Sequence, residues 1–108
     1  MRIYVAGPLS ADTTCGYLRN LARMVKTAVI LRRMGHYPYI PGLDFLFVIV
    51  AEVMGYAFDL EDVYELNYPW IAVSEAVYMI ARSPGTDREV EYARQLGIPV
   101  YTRFEEVA

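Results

Sequence analysis

Seven consecutive residues, Ser83-Pro84-Gly85-Thr86-Asp87-Arg88-Glu89, hold the groups that a carboxylate-driven reaction beside a bound anion would need. Ser83 offers a hydroxyl. Gly85 lets the backbone approach a ligand closely, because it has no side chain to stand in the way. The backbone N–H groups of Gly85, Thr86 and Asp87 fall where a helix begins, with its positive end behind them, and such an end binds anions. A carboxylate one turn into that helix, Glu89, then reaches a carbon bonded near the anion. The same residues also have a purely architectural meaning. Thr86 and Glu89 have the S/T-x-x-E spacing of a capping box, in which the carboxylate only bonds the Thr86 backbone N–H. The spacing alone leaves both open.

The surrounding pattern says where this loop stands. The apolar run Ala76-Val77-Tyr78-Met79-Ile80-Ala81 before it reads as a buried strand. After it come a helix over 87–96, burying Val90, Ala93 and Leu96, a stop at Gly97 and a last strand over 99–101. That is half of an α/β unit with its loop at the carboxyl edge of a strand, where open α/β sheets bind ligands. A first strand over 3–6, apolar throughout, suits a central parallel position. Gly7-Pro8 ends it, and the loop over 9–16 is either a wall of the ligand crevice or a plain connector. Leu18, Leu21, Ala22, Val25, Ala28 and Val29 mark the buried stripe of a helix over 17–34, which Gly35 terminates. Pro38 points to a sheet edge or a strand terminus for the short strand over 37–40. After the Pro41-Gly42 turn, Asp44 caps a helix running to Met54 that is apolar nearly all round; such a helix is either wholly buried or a subunit contact, and in so small a domain the contact is favoured. A further helix opens at Asp59-Leu60-Glu61-Asp62, with Val63 and Leu66 inward, and Pro69 starts a new one, because proline fits the first helical position. Trp70, Ile71 and Val73 then pack ahead of the next strand, and the segment 102–108 forms a short closing helix.

The alternation of strands and helices predicts a three-layer α/β sandwich, flavodoxin-like or Rossmann-like, with a small parallel sheet, in a single domain over 1–108. A hydrophobic fraction of 56% with 10 Tyr exceeds what so small a core holds and points to a buried interface between copies. The net charge of -3 argues against a nucleic-acid polymer as partner, while a small anion remains compatible. No metal or cofactor is expected: the one histidine, His36, has no metal-spaced partner and reads as a structural residue of a helix-to-strand turn. The single Cys15 fits a reducing cytoplasm, the N-terminus lacks a signal peptide, and the longest apolar run is too short to span a bilayer.

Ser83-Pro84-Gly85-Thr86-Asp87-Arg88-Glu89 fits S-x-G-x-x-x-E. With Val90-Glu91-Tyr92-Ala93 and Gly97-Ile98-Pro99-Val100 after it, the segment resembles the nucleoside 2-deoxyribosyltransferase superfamily, which includes deoxynucleoside 5′-monophosphate N-glycosidases. The opening Met1-Arg2-Ile3-Tyr4-Val5-Ala6-Gly7-Pro8, with Gly35-His36 and Ile40-Pro41, is similar to short members of the same group. The resemblance implies a homo-oligomer, dimeric or larger, in which a neighbour completes each pocket. It implies that Glu89 is the nucleophile on C1′ of a deoxyribose, and that water or a second base resolves the glycosyl-enzyme. It assigns the 5′-hydroxyl or 5′-phosphate to Ser83, Gly85 and Thr86, and the base side to Tyr4, Gly7 and Pro8.

One position departs from the family pattern. Where the family has an aspartate that orients the sugar and handles protons, this chain has Asn67, and an amide cannot accept and return a proton. Asp62, on the preceding helix, is the candidate substitute. The first loop also lacks the basic residue of nucleotide-specific relatives. Two functions follow: an N-glycosidase or deoxyribosyltransferase acting on a deoxynucleoside or its 5′-monophosphate, or a nucleotide-binding module that kept the pocket without the chemistry. A purely structural oligomerisation domain rests on the apolar helix alone.

Overall fold

The computed structural model describes residues 1–108, with the side chain of Phe45 left out of the description. Arg2–Ala6 form strand β1, in which the four apolar or aromatic residues Ile3 to Ala6 are wholly buried. It lies at the centre of a sheet with β2 (Tyr37–Tyr39) on one side and β3 (Ala76–Met79) on the other, and β4 (Val100–Tyr101) beyond β3. All three pairings are parallel, with Ile3 beside Pro38 and Ala76, and Val77 beside Val100. The parallel α/β architecture is therefore as the sequence predicts. Pro38 is tolerated because β2 is an edge strand.

Alternation along the strands divides the core into two layers. Ile3, Val5, Ala76 and Tyr78 point to the side covered by Leu31 of helix α1 (Thr14–Arg33) and by Val107. Tyr4, Ala6 and Val77 point to the other side, against Ile71 of α3 (Leu60–Ala72) and Val90 and Ala93 of α4 (Pro84–Gln95). Helix α2 (Asp44–Val53) follows a turn of 3-10 helix at Pro41–Leu43. After β1 the chain passes to β2 on one side and later returns to β3 on the other. The carboxyl ends of β1 and β3 thus flank the switch point where such sheets bind ligands.

Several local expectations are corrected. Helix α1 begins three residues early, because the Thr13 hydroxyl accepts the Gly16 N–H at 3.0 Å and caps it. Its buried face is Met24, Thr27, Ala28 and Leu31, whereas Leu18, Val25 and Val29 of the expected stripe are exposed. Asp44 is inside the first turn of α2 and does not cap it. Helix α3 runs unbroken through Pro69. The bond that proline forgoes would have used the Glu65 carbonyl, and both residues lie on the exposed side, where water substitutes. Leu66, Trp70, Val73 and Leu96 are largely exposed. The closing helix is only a 3-10 turn, Phe104–Glu106.

Candidate active site

Helix α4 starts at Pro84, and its cap is Ser83, whose hydroxyl accepts the Thr86 N–H at 3.1 Å. The expected capping box of Thr86 and Glu89 is absent, since the helix opens three residues before Asp87 and Glu89 falls in its second turn. The carboxylate is left for another partner. Thr86, Glu89, Val90 and Ala93 form the buried face of α4, at the helical spacing that lays them on the sheet. Glu89 meets Tyr4 there: the Tyr4 hydroxyl donates to Glu89 Oε2. Among the described residues no donor binds Oε1.

Burial pushes the Glu89 carboxyl up to about 7, and the hydrogen bond from Tyr4 opposes that rise without cancelling it. Burial, and then the Glu89 charge, hold the Tyr4 phenol well above its ordinary range, so Tyr4 keeps its proton while Glu89 titrates. The pair is thus a desolvated carboxylate, about half ionised near neutrality, clamped at one oxygen and open at the other. That is a suitable state for a nucleophile or a general base.

An aromatic row extends from the pair. The β1–β2 register sets Tyr39 beside Tyr4, and the two rings stack with centroids 5.8 Å apart. Tyr39 stacks in turn on Trp70 of α3 at 5.5 Å. The Tyr39 hydroxyl donates to Asp44 Oδ2 at 2.7 Å, and burial, then this bond, raise its pKa. Asp44 therefore anchors the row instead of capping α2.

Residues of α3 close the other side. Tyr64, Asn67 and Ile71 share one helical face. Ile71 packs in the layer with Tyr4 and Val90, and the Tyr64 hydroxyl sits so close to Gly85 that a Cβ there would come within 2.9 Å of it. Asn67, between them, is buried, and its Oδ1 has no hydrogen-bond partner. Asp62 is spent on a reciprocal cap with Asp59, at 2.9 and 3.1 Å, and does not stand free as a substitute acid. Arg88 binds Glu61 through both terminal nitrogens at 2.6 Å, donates to the Tyr68 hydroxyl at 2.7 Å, and lies 4.2 Å from the Tyr64 ring centre.

The N-terminal amides of α4 are less available than the sequence suggests. The Thr86 N–H goes to the Ser83 hydroxyl and the Asp87 N–H to the Ser83 carbonyl at 2.8 Å, which leaves that of Gly85. Ser83 also donates to Thr86 Oγ1 at 2.8 Å. Gly7 and Pro8 leave β1 at the same sheet edge as the Ser83 loop. A side chain at Gly7 would press on Ile80 at 3.2 Å, which gives that glycine a packing reason of its own. Two cavities lie elsewhere. One, of about 310 Å³, is lined by Phe47, Val50, Ala51, Met54, Tyr56 and Phe58. The other, of about 420 Å³, is lined by Met79, Arg82, Asp87, Val90, Glu91 and Arg94, along one flank of α4. Neither is lined by Tyr4 or Glu89, so the chemistry of the buried pair, not cavity size, marks the site.

The sequence singled out Glu89, Tyr4, Ser83, Gly85 and Asn67 as candidates, and the structure adds Tyr39, Asp44, Tyr64, Trp70 and Arg88 as their neighbours. The abundance of tyrosine was the only signal for Tyr39 and Tyr64. Among the described residues, no three His, Cys, Asp or Glu side chains converge as metal ligands would, and no helix is long and apolar enough to cross a membrane.

No protein-family model matches the chain, and no curated protein matches it. Among solved structures, it is similar to a 2-deoxyribosyltransferase from the psychrotolerant bacterium Bacillus psychrosaccharolyticus, described as a biocatalyst for the synthesis of antiviral and antitumoral nucleosides. The likeness has a TM-score of 0.62 at 20% identity and covers 93% of this chain and 69% of that one. The chain therefore has the fold of a 2-deoxyribosyltransferase.

Proposed function

We propose that the chain is a member of the nucleoside 2-deoxyribosyltransferase superfamily that cleaves the N-glycosidic bond of a 2′-deoxynucleoside or its 5′-monophosphate, with Glu89 as nucleophile. The observation that carries this is the Glu89 carboxyl itself: buried, free of capping, held by Tyr4, and beside the switch point of a deoxyribosyltransferase fold.

In the first step Glu89 Oε1 attacks C1′ while the C1′–N bond breaks and its electron pair leaves with the base, which is protonated from water or an acid. In the second, water or another base attacks C1′, the C1′–O bond to Glu89 breaks, and the carboxylate returns. Two displacements replace one difficult one, as in retaining glycosidases. The Tyr4 hydroxyl orients Glu89, and its hydrogen bond supports the carboxylate when it departs from C1′. Tyr4 and Tyr39 back the row, and Trp70, exposed at its end, supplies flat apolar surface on which a base can stack. The partner is a small molecule, and a neighbouring copy contributes to the pocket.

The test is base release from a panel of deoxynucleosides and their monophosphates, followed by chromatography. Release by the wild type and none by Glu89→Gln is the expected result; equal release by both removes Glu89 from the reaction.

Asn67 favours a second reading, a nucleotide-binding module with reduced chemistry. Its amide can accept a hydrogen bond from a sugar hydroxyl through the unpartnered Oδ1, but it cannot carry a proton. Binding of a deoxynucleoside by calorimetry with no base release from any of the panel would establish this reading over the first.

A further inference from the structure

We propose that the site takes a free 2′-deoxynucleoside in preference to its 5′-monophosphate, and that Tyr64 is the residue that sets this choice; the inference rests on the glycosidic reading above, with the sugar 5′ end at Ser83 and Gly85. A bound phosphate dianion needs converging N–H donors and a cation whose charge is not already matched. The start of α4 supplies neither. The Thr86 and Asp87 amides are used by Ser83, and the Ser83 hydroxyl both accepts from and donates to Thr86. The Gly85 amide remains, but the Tyr64 hydroxyl is packed against that residue.

Both arginines of the segment are matched. Arg82 binds both oxygens of Asp87 at 3.2 and 3.1 Å, and Arg88 binds both oxygens of Glu61 while donating to Tyr68. Exposed ion pairs are weak singly, but Arg88 is also held over the Tyr64 ring, so its several contacts fix that ring across the helix end. A dianion would have to displace Tyr64 and would meet the Asp87 and Glu61 carboxylates. A 5′-hydroxyl carries no charge, and the phenol of Tyr64 can donate to it or accept from it.

The experiment compares kcat/KM for a panel of 2′-deoxynucleosides and the matching 5′-monophosphates. The wild type is expected to favour the nucleosides by about tenfold or more, the equivalent of one lost charge-assisted hydrogen bond. In the double variant Tyr64→Ala with Glu61→Gln, the side chain packed against Gly85 is removed and Arg88 is released. The ratio of monophosphate to nucleoside kcat/KM should then rise by about tenfold. Tyr64→Phe keeps the ring but removes the hydroxyl nearest Gly85 and its hydrogen bond to a 5′-hydroxyl, and should raise the ratio by less than the double variant does. Because the readout is a ratio within each protein, a general loss of folded enzyme does not move it. Equal or preferred use of monophosphates by the wild type, or an unmoved ratio in the double variant, overturns the proposal. Absence of base release from every substrate removes the glycosidic reading instead, and the choice is then read from calorimetry on the wild type. Tighter nucleoside binding sustains the inference, and tighter monophosphate binding, or none of either, overturns it.

Discussion

Burial raises the basicity of the Glu89 carboxylate and makes its ionised form costly to the fold. Its folded value of about 7 lies above the ordinary 4.5, so the stability it contributes is complete below pH 4.5 and is lost as the pH rises through 7. The shift corresponds to roughly 3 kcal/mol, and Glu89→Gln should flatten this part of the stability profile in urea titrations between those limits. The nucleophilic activity proposed for Glu89 would have the opposite sign. Turnover of the wild type should climb as the pH passes 7 and Glu89 ionises, a limb to be sought in kcat/KM against pH. Glu89→Gln should abolish turnover while far-ultraviolet circular dichroism stays unchanged, since Glu89 has no part in the cap. Asn67→Asp tests the remaining polar group. It should raise the rate of base release, by as much as the roughly hundredfold to ten-thousandfold that general acid–base help provides. Affinity should change little, because the two side chains are nearly isosteric. No gain in rate would show that the missing proton carrier is not at position 67.

At the scale of elements, the start of α4 decides what Glu89 is free to do. Ser83 takes the capping task, with Pro84 at the first helical position, where its missing N–H costs nothing. Ser83→Ala should therefore cost about 1 kcal/mol of stability by chemical denaturation, typical of a lost N-cap. An unchanged midpoint would mean that the Ser83 hydroxyl contributes little to the fold. Helix α3 has a comparable division of labour. Its outer face carries Pro69, and its inner face carries Tyr64, Asn67 and Ile71 against α4 and the sheet. The pairing of β1 with β2 lines up Tyr4 and Tyr39, which makes the aromatic row a consequence of strand register.

Across the whole molecule, apolar surface is concentrated where no part of the chain covers it. On α2, Val53 is 84% exposed and Met54, just after it, 69%, with Leu46, Phe47, Ile49 and Val50 also open to solvent. Phe45 belongs to the same expected contact, but its side chain lies outside the described residues. Leu18, Val25 and Val29 form a second open stripe on α1. Exposed patches of this kind mark association surfaces. The protein should be a dimer or larger at micromolar concentration by light scattering, and Val53→Asp should shift it toward monomer. A monomeric wild type under those conditions would remove the shared-pocket arrangement.

Local sequence determined the parallel α/β order, because apolar runs such as Ile3 to Ala6 and Ala76 to Met79 are confined between helical stretches and their stops. Gly35 and Gly97 end their helices at positive φ, as the sequence implied. The motif also identified Glu89 as the carboxylate to watch. Spacing could not decide whether Glu89 caps or reacts, because two hydroxyls, Ser83 and Thr86, compete for the cap and only the helix start resolves them. Nor could it rank the two apolar stripes of α1, since both satisfy the same period and only contact with the sheet buries one. The phenol of Tyr4 and the carboxyl of Glu89 are 85 residues apart. Their meeting, the rise of that carboxyl toward neutrality, and the covering of Gly85 by Tyr64 exist only once α3 and α4 are packed on β1. Desolvation and long-range contact are properties of that packing and not of any segment alone.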